Sequence, residues 1–253
     1  MNDSRALTVD EAGDGRPALI IHGGGGPMTI AAIVGHLAKT MHTITPTLPG
    51  WNGTERPDDI QSIPDLAALL LQELEERDLS DVLVIGSSIG GWIGAEMAIR
   101  TSEGRITGLI LIDAMGIEVP GETITDFFAL DARGVAEHSF HDAEKFYVDP
   151  ATRAPEELAV MQANVAALRV VAGDPYMHDP GLRERLGEAS IPVLVLWGDS
   201  DGIASPDYGR AYAESFSNAR FELVADAGHL PQIEQPAATF ALIDAFVNGR
   251  DRS

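Results

Sequence analysis

One short stretch of the chain combines a reactive side chain with an unusual density of glycine. The sequence DVLVIGSSIGGW at 81–92 places two serines between Gly86 and the pair Gly90 and Gly91. Small residues at such a place let a strand and a helix meet in a sharp turn that exposes a hydroxyl. The Gly-x-Ser-x-Gly pattern centred on Ser88 therefore indicates a candidate nucleophile. The alternative is a glycine-rich turn with a buried hydroxyl.

A serine hydroxyl is a weak nucleophile at neutral pH and needs a base to take its proton. Among the histidines, His229 is the strongest candidate because its loop, ADAGHLPQIEQP, follows a candidate strand and precedes a helix. Ligands meet open α/β sheets at the ends of strands. His138 and His141 have the i, i+3 spacing of a metal-binding pair, but no third ligand with suitable spacing stands out. No metal site is therefore predicted. The remaining histidines are His22, His36, His42 and His178; His36 lies in a predicted helix and His42 at the start of a predicted strand, which indicates packing roles for these two.

The base in turn needs a carboxylate that orients its imidazole ring. Asp199 and Asp201 lie at the end of one aliphatic run, in VLVLWGDSDGIASP, and Asp113 ends another, in LILIDAMG. All three positions follow a candidate strand. The residues alone leave the choice among these three aspartates open.

Four consecutive glycines, at 23–26, follow His22 directly after the first aliphatic run, in IIHGGGGPM. Such a run costs chain entropy and is useful where backbone N–H groups must approach a ligand closely. A flexible loop and a phosphate cradle are the alternatives. No Lys-Ser or Lys-Thr pair follows, which excludes a Walker-type loop, and the context of a dinucleotide fingerprint is missing. A nucleotide site is therefore the weaker interpretation.

The elements that must position these residues alternate between strands and helices. Aliphatic and β-branched runs predict strands at 18–23, 42–48, 82–86, 106–113, 192–198 and 219–225. Helical patterns occupy 29–39, 63–77, 89–101, 206–216 and 236–248. This alternation predicts an α/β protein with a mostly parallel central sheet and helices on both faces.

One region breaks the alternation. Residues 115–188 contain no aliphatic strand run, several Pro and Gly residues, and a helical pattern at 154–171. A structureless loop of that length is improbable in a compact domain. We therefore predict a helical cap at 115–188, inserted into a core made of 1–114 and 189–253.

Bulk properties limit the partners. The net charge of −22 argues against nucleic acid, whose phosphates require clustered Lys and Arg, and against anionic membrane surfaces. The chain has no cysteine, which excludes disulfides and thiolate chemistry. It shows neither a signal-peptide pattern nor an apolar run of membrane-spanning length. We expect a cytoplasmic protein with a small-molecule substrate, without a cofactor; a homodimer is left open.

Taken together, these motifs resemble those of the α/β-hydrolase superfamily. HGGGG resembles its oxyanion loop, LPGWNGTERP its Pro-Gly loop, GSSIGG its nucleophile elbow, WGDSDGIASP its acid loop and AGHLPQIEQP its histidine loop. The resemblance covers nearly the whole chain outside 115–188 and implies the superfamily's fold with an inserted cap. The sequence departs from the family pattern at the N-terminus, where we expect the leading antiparallel strands of the superfamily to be reduced to one hairpin or less.

The resemblance also implies roles for individual residues. Asp201 becomes the acid of a Ser88, Asp201, His229 triad, with Asp113 in reserve. The backbone N–H groups of Ile89 and Gly24 become the oxyanion donors, with Gly25 as the near alternative.

The activity implied is that of a serine hydrolase, like a carboxylesterase, that cleaves a small apolar ester or lactone by acyl transfer. One alternative is hydrolysis of a carbon–carbon bond in dienoate-type ring-cleavage products, for which a cap arginine would hold the substrate carboxylate. The other is a ligand-binding or ligand-sensing protein on the same fold. The candidate arginines are Arg133, Arg153 and Arg169.

Overall fold

A computed structural model describes residues 7–102 and 104–250 of the chain. In this part of the chain, seven strands form one sheet in the order β1-β3-β2-β4-β5-β6-β7. The strands are β1 (Thr8–Ala12), β2 (Pro17–Ile21), β3 (His42–Thr47), β4 (Val82–Ser87), β5 (Ile106–Ile112), β6 (Val193–Gly198) and β7 (Ala219–Val224). All pairings are parallel except that of β1 with β3. The predicted mostly parallel sheet is confirmed.

Helices follow most of the strands. They are α1 (Ala31–Leu37), α2 (Ile63–Glu76), α3 (Ile89–Ala98), α4 (Ala132–Ser139), α5 (Ala143–Phe146), α6 (Pro155–Ala172), α7 (Leu182–Arg185), α8 (Pro206–Glu214), α9 (Pro231–Glu234) and α10 (Pro236–Arg250). Short 3-10 turns lie at Pro27–Thr29, Phe127–Ala129, Pro150–Thr152 and Leu186–Glu188. Helices α4 to α7 all lie between β5 and β6, in the region where the sequence predicts the cap. No helix among the described residues has the length and hydropathy to cross a membrane.

The sheet is buried on both faces, which explains why its central strands read as unbroken aliphatic runs. In β4, Val82 and Val84 belong to a core cluster with residues of α2, α3 and α8, whereas Leu83 and Ile85 belong to a second cluster with residues of α1 and α10. The helices therefore form two layers around the sheet, and the carboxyl ends of the parallel strands are left free to carry loops.

One antiparallel strand, β1, precedes β2 in the described residues and pairs with β3 at the sheet edge. We expected one hairpin or less before the first aliphatic strand, and the described residues contain a single strand there. Its sequence, TVDEA, is polar because four of its five residues are exposed.

The turn from β4 into α3 depends on glycines. A Cβ atom added at Gly86 would lie 2.1 Å from the Gly90 carbonyl oxygen, and one added at Gly90 would lie 2.3 Å from the Ile21 carbonyl oxygen. No real Cβ approaches backbone that closely, so these glycines allow strand and helix to approach at this point.

We therefore expect Gly86→Ala to destabilise the fold by about 3 kcal/mol, because the backbone of the turn must move to accept a methyl group. Gly35→Ala is the matched control, since nothing lies within 4 Å of the added Cβ on the exposed face of α1. That change is expected to stabilise by about 0.5–1 kcal/mol. Urea unfolding measures the free energy of unfolding of both variants. The same change in both would show that the turn has room for a methyl group at Gly86.

Candidate active site

Ser88 lies at the apex of the turn between β4 and α3. Its backbone has φ 56° and ψ −119°, a left-handed conformation that is strained for a residue other than glycine. The Ser88 N–H donates to the Ile112 carbonyl (2.9 Å), and the Ser88 carbonyl accepts from the Met115 N–H (3.2 Å). These bonds to the end of β5 hold the strained conformation in place, so the surrounding structure fixes the position of the hydroxyl.

A chain of hydrogen bonds connects Ser88 with two buried residues from distant loops. The His229 Nε2 atom lies 3.0 Å from the Ser88 Oγ atom, and His229 Nδ1 lies 2.8 Å from Asp201 Oδ2. An ionised carboxylate only accepts, so Nδ1–H donates to Asp201 and Nε2 is left to accept the Ser88 proton. This is the arrangement required to activate a serine hydroxyl.

The Asp201 carboxylate is fixed from its other side. Its Oδ1 atom accepts from the backbone N–H groups of Ile203 (2.8 Å) and Ala204 (3.2 Å). Together with His229 these donors satisfy both oxygen atoms of a side chain that is almost fully buried.

The other two candidate acids lie in different surroundings. Asp199 is exposed and accepts from the Ser200 hydroxyl (2.8 Å). Asp113 is fully buried close to Asp201, and its Oδ1 atom accepts from the Gly198 N–H (2.9 Å). Of the three aspartates, Asp201 is therefore the one that is hydrogen-bonded to His229.

The glycine loop lies beside Ser88, since a Cβ added at Gly23 would lie 3.2 Å from the Ser88 Cβ atom. The carbonyls of Gly23, Gly24 and Gly25 each accept a side-chain hydrogen bond, and their donors are His22 (2.7 Å), Trp51 (2.9 Å) and Asn164 (3.4 Å), respectively. Because the carbonyls are held by these partners, the loop has a fixed orientation. Gly24, Gly25 and Ile89 line the same cavity as Ser88, which is the location that oxyanion donors need.

The side chain of His22 is buried and neutral, and it holds the glycine loop in place. Its Nδ1–H donates to the Gly23 carbonyl, and its Nε2 atom accepts from the Leu48 N–H (3.0 Å). Burial lowers the pKa of His22 to about 4, because the charged imidazolium is poorly solvated there. His22 thus acts as a rigid connector between β2 and the loop after β3.

The cavity above Ser88 has a volume of about 270 Å³ and is mostly apolar. Its apolar walls include Ile89, Met115, Phe127, Val135, Phe140, Met161, Val165, Leu168, Met177, Ile203 and Leu230. A second cavity of about 700 Å³ lies among the helices between β5 and β6. The two cavities share wall residues Phe127, Val135, Phe140, Met161 and Val165.

Two polar residues that sequence reasoning did not single out connect the helices between β5 and β6 to the site. Glu234 accepts from the backbone N–H groups of Gly228 (2.6 Å), His141 (3.1 Å) and Asp142 (3.1 Å). Asn164, on α6, bonds the glycine loop at Gly25. Asn164 lies in no sequence motif that would have indicated its role. Glu234 lies in the histidine loop motif AGHLPQIEQP, and this was the one feature of the sequence that could have pointed to it.

The remaining predicted candidates lie elsewhere. His138 Nδ1 bonds the Gly134 carbonyl and His141 Nδ1 bonds the Ser200 hydroxyl. The one group of three potential metal ligands found among the described residues is Asp113, Asp201 and His229, so it does not include that pair. His36 and His42, read from the sequence as packing residues, are hydrogen-bonded to Asp244 and Glu11, respectively (2.8 and 2.7 Å).

Comparisons with known proteins agree with this architecture. A family model described as "Alpha/beta hydrolase family" matches residues 18–242. A 2-hydroxymuconate semialdehyde hydrolase of Pseudomonas sp. strain CF600 is 28% identical, over 96% of this chain and 90% of its own length. Lipase 3 of Moraxella sp. strain TA144 is 27% identical, over 93% and 78%. The solved meta-cleavage product hydrolase of Pseudomonas fluorescens IP01 superposes with a TM-score of 0.80 at 18% identity, covering 96% of this chain and 94% of that one.

The state of His22 leads to an expected pH dependence. An unfolded His22 has the ordinary pKa of 6.5 and the folded one a pKa of about 4, so the unfolded state binds more protons between these values. Stability contributed by the neutral form is complete above pH 6.5 and is lost as the pH falls to 4. The loss from this group is about 3 kcal/mol.

Urea unfolding of wild type and His22→Gln between pH 7 and pH 4 measures this effect. The variant cannot titrate at this position, so the difference between the two free energies of unfolding should shrink as the pH falls. A difference that stays constant over the range would show that His22 is not held neutral.

Proposed function

The chain belongs to the alpha/beta hydrolase family, and on that premise we propose that it is a serine hydrolase that cleaves small apolar esters or lactones by acyl transfer. The observation that carries the proposal is the buried hydrogen-bond chain from Ser88 through His229 to Asp201, which ends in an apolar cavity. In this proposal residues 115–188 form a cap over the site, and 1–114 with 189–253 form the core.

The reaction proceeds in two halves. His229 Nε2 takes the Ser88 proton as the serine oxygen attacks the carbonyl carbon of the ester, and the resulting imidazolium gives that proton to the leaving alcohol. A water molecule then loses a proton to His229 and attacks the acyl-enzyme. The same proton returns to Ser88 when the carboxylic acid leaves. Asp201 keeps the imidazole in the required tautomer throughout.

Negative charge develops on the carbonyl oxygen in both halves. The proposed donors to this oxyanion are the backbone N–H groups of Ile89 and Gly24, with Gly25 as the near alternative. Ile89 begins α3, whose N-terminus faces the cavity and favours negative charge there. Each such donor contributes about 3 kcal/mol to transition-state stabilisation.

The cavity dimensions support a small substrate. A volume of about 270 Å³ lies below the range of about 300–1,000 Å³ that is usual for drug-sized ligands. The walls are apolar, and the net charge of −22 repels anions from a distance. A short or medium neutral acyl group therefore fits better than a substrate that carries a carboxylate.

The second candidate is carbon–carbon bond hydrolysis of a dienoate. The relative from Pseudomonas, whose name is that of a 2-hydroxymuconate semialdehyde hydrolase, favours it. Against it stands the position of the three candidate arginines. Arg133 pairs with Glu137 and Glu144, Arg153 lies on the second cavity, and Arg169 stacks 4.0 Å over the Phe128 ring. None of the three lines the cavity above Ser88.

The test compares p-nitrophenyl esters of increasing acyl length with a synthetic dienoate. We expect turnover of the acetate and butyrate esters, and no cleavage of the dienoate at a comparable rate. Ser88→Ala should lower kcat on the esters by at least about 10⁴-fold, because the nucleophile is gone. Its melting temperature should stay within a few degrees of that of the wild type.

Ser87→Ala is the matched control, since this neighbouring serine is buried and its Oγ atom accepts from the Gln232 side chain, whereas the His229 Nε2 atom bonds Ser88. It should keep ester turnover. Substantial activity in Ser88→Ala would contradict the assignment of the nucleophile. Fast dienoate cleavage without ester cleavage would favour the second candidate.

A further inference from the structure

A second carboxyl group is buried directly behind the hydrogen-bond chain. Asp113 follows β5, has no exposed surface, and adopts a φ of 45°, in the left-handed region that favours glycine. Its N–H donates to the Leu196 carbonyl of β6 (3.0 Å), which holds the backbone in this conformation. An aspartate that is both strained and buried is costly, and such residues cluster at functional sites.

The two oxygen atoms of Asp113 have different surroundings. Oδ1 accepts from the Gly198 N–H (2.9 Å), whereas Oδ2 is buried without a hydrogen-bond partner among the described residues. One carboxyl oxygen of Asp113, one of Asp201 and one nitrogen of His229 all lie within 4.8 Å of one another. The unsatisfied Asp113 carboxyl is therefore a direct neighbour of the Asp201–His229 pair.

Two adjacent buried carboxylates cannot both carry a charge, so one of them holds a proton. Asp201 has three donors, which are two backbone N–H groups and the His229 ring. Asp113 has a single backbone donor. Hydrogen bonds to the charged form favour ionisation, so Asp201 keeps the charge and Asp113 keeps the proton.

We propose that Asp113 is a positioning residue that remains protonated and donates a hydrogen bond from Oδ2 to the carboxylate of Asp201. The proposal rests on the proposed function only for the role of Asp201 in catalysis. Protonation turns an orphaned acceptor into a donor, which removes the cost of the unpaired oxygen. The bond fixes the Asp201 carboxylate, and so helps to hold the imidazole ring of His229 in its orientation towards Ser88.

Among the described residues, three titratable groups lie around Asp113, and the two carboxyl groups among them disfavour a charge on it. Asp201 comes from the loop after β6, His229 from the loop after β7, and Glu234 from α9. Burial, followed by the negative charge of Asp201, raises the pKa of Asp113 well above its ordinary value. Because the folded pKa is raised, the stability linked to the neutral form is complete at low pH and is lost as the pH rises through the folded pKa.

Asp113→Asn and Asp113→Ala separate this role from a simple packing role. The asparagine keeps an oxygen for Gly198 and an N–H for Asp201, but it cannot ionise. We expect it to keep kcat within about threefold, since both hydrogen bonds survive. The alanine should lower kcat about tenfold with little change in KM, which is the loss expected for one hydrogen bond to a charged group.

Infrared difference spectra give a readout that does not depend on activity. Wild type minus Asp113→Asn at neutral pH should show the carbonyl stretch of a protonated carboxylic acid. Urea unfolding should show Asp113→Asn gaining stability relative to wild type as the pH rises. Both readouts remain available if Ser88 proves not to be the nucleophile, so a failure of the proposed function is recognised separately.

A carboxylate band in place of the acid band would overturn the proposal. So would an Asp113→Asn variant as impaired as Asp113→Ala, because Asp113 would then act as an anion. Unchanged kcat in a folded Asp113→Ala would also overturn it. If the alanine variant does not fold, the asparagine variant and the infrared spectrum still decide.

Discussion

The sharp backbone turn at Ser88 is the constraint on which the rest of the site depends. A strand followed by a single left-handed serine and then at once by a helix requires two close backbone approaches, and Gly86 and Gly90 permit them. A comparable approach occurs at the acid loop, where a Cβ on Gly198 would lie 2.0 Å from the Gly228 carbonyl oxygen. These contacts bring three loops from separate strands within hydrogen-bond distance.

Burial then determines what each polar group can do. His22 is kept neutral by its surroundings and holds the glycine loop, while the Asp201 carboxyl is fixed in position by hydrogen bonds from two backbone N–H groups and the His229 ring. Glu234 uses both carboxylate oxygens to join the helices between β5 and β6 to the loop that carries His229. Because these side chains are buried, an unpaired polar group among them would be costly, and each one has a defined hydrogen-bond partner.

Local patterns explain why much of this could be predicted. The central strands are aliphatic because helices cover both faces of the sheet. The turn at Ser88 could be predicted because only glycine fits sterically at Gly86 and Gly90. β1 was not predicted as a strand because an exposed edge strand such as TVDEA has no aliphatic run. The choice among Asp113, Asp199 and Asp201 needed either a family resemblance or three-dimensional structure, since all three follow strands. Asn164 contacts the glycine loop from a distant part of the chain and leaves no local signal, whereas Glu234 lies within the histidine loop motif but contacts His141 and Asp142 across a long separation in sequence.

The central claim is that His229 activates Ser88, and covalent labelling tests it most directly. Intact-mass analysis after treatment with a fluorophosphonate probe reports an activated serine without knowledge of the substrate. The account requires one adduct on the wild-type protein and none on Ser88→Ala. A folded wild-type protein that forms no adduct, or an adduct that persists in Ser88→Ala, would contradict it.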